Sequence, residues 1–159
     1  MGASSMTNHL AEGAAKIDLA AISSDDLSRD LIGSLVGAVS KLAPVDCPLV
    51  HRFSSGVYIR QITIPAGTCI VGKIHATKHF NIILSGHCFV IQSDGVKIDV
   101  NGAYTYESDA GVQKCVYALT DTIWQTIHVT KLTNLDEIER EIIAKDESDL
   151  QLKLRVGAS

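Results

Sequence analysis

The chain has 159 residues, 46% of them hydrophobic and 20% charged, with a formal net charge of −4. That length suits one compact domain with short extensions, and the composition can bury a core, which excludes a disordered chain. No apolar run approaches the ~20 residues of a bilayer-spanning helix, and no cluster of Lys and Arg offers the basic face of a general nucleic-acid binder, so neither membrane nor nucleic acid is an expected partner.

Residues 1–22 are rich in Ala, Ser and Gly and read as an arm or a weak helix. Glu12, Lys16 and Asp18 interrupt any apolar h-region, so no secretory signal is expected. Met6 stands where a myristoylation signal wants Ser or Thr. Residues 23–45 are assigned to a helix, its periodic stretch running over 24–42. Leu27, Leu31, Leu35, Val36, Val39 and Leu42 fall near helical spacing, Ser23 or Ser24 can cap it, and Asp25 and Asp26 suit the positive end of its dipole. Gly33 and Gly37 lower its propensity but let another backbone come close.

Residues 46–132 follow a different grammar. Short β-prone runs recur at 57–64, 69–75, 79–84, 88–92, 96–100, 112–119 and 122–129. Turn chemistry separates them, as in Pro65-Ala66-Gly67, Ser93-Asp94-Gly95 and Asn101-Gly102. Strands at this spacing, without helices between them, predict an antiparallel sandwich or barrel. A second helix is expected over 133–146, with Thr133 and Asp136 as a capping box and Leu135, Ile138 and Ile142 as its apolar stripe. In residues 147–159, Leu150, Leu152, Leu154 and Val156 alternate with polar residues. That alternation predicts a terminal strand, closing the barrel's own edge or adding to a neighbouring subunit's sheet. Cys47, Cys69, Cys88 and Cys115 form no C-x-x-C pair and three of them sit in apolar runs, which predicts small buried hydrophobes in a reducing compartment.

His75 and His79 flank the short connection Ala76-Thr77-Lys78. If one strand ends at His75 and the next begins at His79, both imidazoles face the same side. His128 lies on the last strand of the barrel, with Trp124 and Thr126 on its face. In a rolled-up sheet it can complete a three-histidine site for one divalent transition metal, with positions left open for water or substrate. The alternative is two rim histidines and one core histidine. His9, His51 and His87 are expected to be ordinary polar residues.

The pattern Gly67-(five)-Lys73-Ile74-His75-(three)-His79-(six)-Gly86 resembles the first motif of the cupins. The resemblance implies a mainly β fold, a cupin-like double-stranded β-helix or jelly roll, here with an N-terminal helix and a C-terminal helix plus strand. The chain departs from the family pattern in its ligands. Lys73, His75 and His79 stand where the family has His-x-His and Glu, and Lys114 stands at a further His position. Two readings stay open. One is a rearranged metal site of His75, His79 and His128. The other is a metal-free cavity in which Lys73 and Lys114, with Tyr117, bind a small anionic ligand. Inward lysines would need that anion, or acidic neighbours such as Glu107 and Asp109.

The stretch 57–130 also resembles small cupin-like proteins encoded by tailed bacteriophages. Gly56-Val57-Tyr58-Ile59-Arg60, Ile64-Pro65-Ala66-Gly67-Thr68 and Tyr117-Ala118-Leu119-x-Asp121-Thr122 carry the likeness. It implies a non-enzymatic virion or accessory structural protein that assembles through its terminal extensions, as a homo-oligomer or with other virion proteins. The expected location is then the virion or the cytoplasm of the infected host, without secretion. A metal-dependent enzyme on a small polar substrate, with Tyr58, Tyr117 or Glu107 as acid or base, is the alternative. A binder that sequesters an anionic metabolite or nucleotide is the second.

Overall fold

A computed structural model describes residues 11–16, 34 and 37–157. In chain order the elements are β1 Ala11–Lys16, β2 Leu49–Ser54, β3 Val57–Ile64, β4 Thr68–Gly72, β5 Ile74–His75, β6 His79–Ser85, β7 His87–Gln92, β8 Lys97–Asn101, β9 Tyr104–Ser108, β10 Lys114–Ala118 and β11 Thr122–Val129. Helix α1 spans Leu135–Ile142, β12 Ile143–Ala144 and helix α2 Glu147–Gly157.

Two five-stranded sheets form, in the orders β1-β4-β10-β7-β8 and β2-β3-β11-β6-β9, with a small β12-β5 ladder beside them. All described pairings are antiparallel. This is the jelly roll that the sequence predicts, and its inner faces come from strict alternation. Along β3 the buried residues are Tyr58, Arg60, Ile62 and Ile64; along β11 they are Thr122, Trp124, Thr126 and His128. The ladder pairs Ile64 with Thr122, Ile62 with Trp124, Arg60 with Thr126 and Tyr58 with His128. The lumen is therefore graded. One end is an apolar core built on Ile62, Ile64, Ile70, Ile83, Val90 and Trp124. The other end, at Tyr58, Arg60 and His128, is polar.

Helix α1 closes that polar end. Ile138 and Ile142 are buried against Tyr58, with Leu132 and Leu135 packed around them. The cap of the helix is Asn134, one residue later than the predicted Thr133: its side-chain oxygen accepts from the N–H of Asp136 and of Glu137, both at 3.1 Å. The helix ends at Ile142, short of the predicted 146, because Ile143 turns extended and pairs with His75.

Three terminal expectations are corrected. Residues 11–16, read as part of an arm, form an edge strand against β4. Of the helix expected over 23–45, residues 34 and 37–39 are helical, while 40–45 are turn and coil, so it ends at Val39; residues 23–33, 35 and 36 lie outside the described residues. The strand predicted within 147–159 is helix α2. Its start is fixed by reciprocal bonds: Asp146 accepts from the N–H of Asp149 at 2.8 Å, and Asp149 accepts from the N–H of Lys145 at 2.9 Å. The first satisfies a free N–H of the first turn, and the second ties the backbone before the helix to it. Leu150 alone of the alternating set is buried, against Ala76 and Ala144, while Leu152, Leu154 and Val156 stay exposed.

Gly86 occupies the β6–β7 turn with φ +104, and a Cβ there would lie 2.5 Å from the carbonyl oxygen of Asp121. Gly86→Ala is expected to cost about 3 kcal/mol or more, read as a lowered denaturation midpoint, since both the backbone conformation and the contact are forbidden to a side chain.

Candidate metal centre

The β5–β6 connection and β11 bring His75, His79 and His128 together at the polar end of the lumen. All three are buried. Their nearest ring nitrogens all lie within 4.8 Å of one another, and the ring centroids are 4.3, 4.9 and 5.1 Å apart. Metal–imidazole bonds are about 2.0–2.1 Å, so three ligand nitrogens around one ion lie about 3.3–3.6 Å from one another. Less than about an ångström of side-chain adjustment would seat one ion among the three rings.

Hydrogen bonding within the cluster is incomplete. Neither nitrogen of His128 has a hydrogen-bond partner, nor has Nδ1 of His75. A buried imidazole normally fixes its tautomer through such a bond. His79 does so: its Nδ1 lies 3.0 Å from the Thr77 carbonyl oxygen, to which it donates. That leaves the Nε2 lone pair of His79 pointing into the lumen, where the Lys114 Nζ lies 3.1 Å away. The three free ring nitrogens and the fixed tautomer of His79 are what a metal requires; the lysine is what it would have to displace.

The six predicted site residues separate into four that share the lumen and two that do not. Lys114 joins the histidines. It is 7% exposed, and its ammonium also donates to Ser108 Oγ at 3.0 Å. Lys73 faces away from them, half-buried beneath α1, where its Nζ lies 2.5 Å from Glu139. Tyr117 falls on the opposite face of β10 from Lys114, Val116 and Ala118, beside Cys69 and Phe89. The alternation of the strand sends it out of the lumen. Glu107 and Asp109, expected as acidic neighbours of inward lysines, are exposed and pair with Lys78 at 2.5 and 3.7 Å. The polar end therefore holds Lys114 and Arg60 with no carboxylate from either residue.

Several residues around the site went unanticipated. Trp124 Nε1 donates to Asn81 Oδ1 at 3.3 Å, and Asn81 Nδ2 donates to Ser108 Oγ at 3.0 Å. This chain of bonds continues through Lys114 to His79 and Thr77. Asn81 is legible, two residues from His79 on the same strand face; Ser108 is not, because β9 is mostly exposed and carries almost no burial alternation. His51, expected as an ordinary polar residue, bonds through Nδ1 to the Tyr58 hydroxyl at 2.8 Å. The Tyr58 ring in turn stacks 6.0 Å from His128. Burial pushes the Tyr58 phenol up to about 12, so it stays neutral at neutral pH.

Electrostatics keep the imidazoles neutral. Burial, then the Lys114 charge, lowers His79 to about 4. Burial, then His79, Lys114 and Arg60, lowers His128 to about 3. His75 is held well below 6.5, again by burial first and its charged neighbours second. Unfolded histidines take up protons near pH 6.5, whereas these resist until far lower pH. Below pH ~6.5 the unfolded state thus binds more protons. Stability of the metal-free protein is expected to fall as pH drops from about 6.5 toward 4, by up to about 1.4 kcal/mol per pH unit for each imidazole. Urea melts across that window check it; unchanged midpoints would contradict it.

No protein-family model matches the chain, and no curated protein matches it. Solved structures do. Ectoine synthase from P. lautus superposes with a TM-score of 0.50 at 13% identity, over 61% of this chain and 75% of that one. An RmlC-like cupin family protein from Methanocaldococcus jannaschii gives 0.46 at 12%, over 54% and 82%. The EutQ protein of Clostridium difficile gives 0.44 at 9%, over 54% and 68%. At these identities the likeness is one of fold alone, an antiparallel barrel of two sheets. Among the described residues no helix is long and apolar enough to cross a membrane.

Proposed function

We propose that this barrel is a metal-binding cupin whose centre is His75, His79 and His128. The observation that carries the reading is the buried cluster of three neutral imidazoles with ligand atoms within 4.8 Å and three ring nitrogens unpartnered. Burying polar nitrogens without partners is costly unless something binds them. Three neutral histidines suit zinc, iron, nickel or manganese, and such an ion would supply a Lewis acid with coordination positions left open. The chain's own contribution is to hold the rings neutral, to fix His79 through Thr77 and to exclude bulk water beneath α1.

The test is metal content and stability together. The purified full chain should take up close to one equivalent of zinc or cobalt(II). At a free concentration of 100 times Kd the ion should stabilise by about 2.7 kcal/mol, about 5–10 °C in Tm. No uptake of any of these ions, and no change in Tm, would end the reading.

An assembly role, expected from the resemblance to phage-encoded proteins, draws no support from the described residues. The terminal strand that was to add to a neighbour's sheet is helix α2, and its Leu150 is buried within the same chain.

A further inference from the structure

Beside the histidines lies a cavity of about 60 Å³. Its polar wall is His75, Lys114, Asn81, Arg60 and Thr126, its other wall is apolar, and no carboxylate among the described residues lines it. Lys114 is nine-tenths buried, and its hydrogen bonds run to two uncharged atoms, Ser108 Oγ and His79 Nε2. An ammonium has three donors; Ser108 takes one, an ion at His79 Nε2 would free the second, and the third is unaccounted for beside the cavity that Lys114 lines. Arg60 lines the same wall, buried, with Glu139 acting on its charge.

A divalent ion at the histidines would add two further positive charges to this space. Like charges buried a few ångströms apart need a counter-charge. We propose that the polar end of the lumen binds a small carboxylate, anchored by Lys114 and reaching toward the metal-bearing histidines. The inference rests on the reading of those histidines as a metal centre and names the class of ligand that centre takes. Size narrows the class. Liquid water fills about 30 Å³ per molecule, so the cavity has room for about two waters, or for a carboxylate with one or two further carbons.

The full chain loaded with cobalt(II) tests this through its visible spectrum, with acetate as the probe and acetamide as the uncharged control of equal size. Acetate should shift the cobalt band saturably and acetamide should not. Lys114→Met should keep the band while weakening acetate by about tenfold or more, the loss of a charge-assisted hydrogen bond. A cobalt band that forms but ignores acetate, or that responds equally to acetamide, overturns this inference and leaves the metal reading standing. Failure of any cobalt band to form overturns both. The wild-type comparison of the two probes decides the matter even if the variant does not fold.

Discussion

Replacing His128 by leucine is expected to abolish metal uptake and, in the same molecule, to make the metal-free barrel harder to unfold. His128 is 1% exposed, and neither of its ring nitrogens has a hydrogen-bond partner. Leaving a polar group buried and unsatisfied costs about 1–3 kcal/mol. Leucine removes that cost and keeps most of the apolar contact with Tyr58, though it gives up the ring stacking at 6.0 Å. A net gain of about 1 kcal/mol is expected in urea melts of the metal-free protein. The metal loses one of three ligands, and affinity should fall by at least about 100-fold, since even outer partners of metal ligands are worth 10–100-fold. Retained uptake, or a variant less stable than the parent without metal, would show that His128 is an ordinary core histidine.

Lys114→Met should move metal affinity the other way. The ammonium donates to the Nε2 lone pair of His79, the atom an entering ion needs. It also places a like charge beside that ion. At an effective dielectric of about 20 such repulsion amounts to several kcal/mol before the side chain relaxes. A gain of about tenfold or more is expected, measured by competition with a chelator. Burial holds the lysine down at about 8, so removing it also lifts a desolvation cost from the folded state. The substitution should therefore tighten the metal while loosening acetate. A merely structural lysine would move both in the same direction or neither.

Much of the barrel was readable because its strands obey one rule. Tyr58, Arg60, Ile62 and Ile64 alternate with residues of the outer face, as do Thr122, Trp124, Thr126 and His128, and both strands have the bounds that their periodicity predicts. The edges were harder. Of β2, Val50, Arg52, Phe53 and Ser54 are exposed, so its sequence carries little burial signal. The β9 strand is mostly exposed too, with Ser108 alone buried, and that single residue is the one the site uses. The terminal helix misled because a period of two in the leucines outweighed the aspartate capping pattern that decides it. Within the site, residue spacing along the strands pointed to three histidines sharing a face. It could not separate Lys73 from Lys114, since each stands at a position where the family pattern places an inward ligand. What parts them is a third body, helix α1, which offers Glu139 to Lys73 and nothing to Lys114.

The two-residue β12 ladder has a kinetic consequence. It holds the backbone of His75 opposite Ile143, with the Ala76 N–H bonded to the Ile142 carbonyl at 2.7 Å and the Gly111 N–H to the His75 carbonyl at 2.8 Å. A bound ion would leave its histidines only when this latch and the helix before it come undone together. Its escape would then be timed by a local unzipping event, so that stripping rates level off however much chelator is added, at the rate at which the amide of Ala76 exchanges with solvent deuterium.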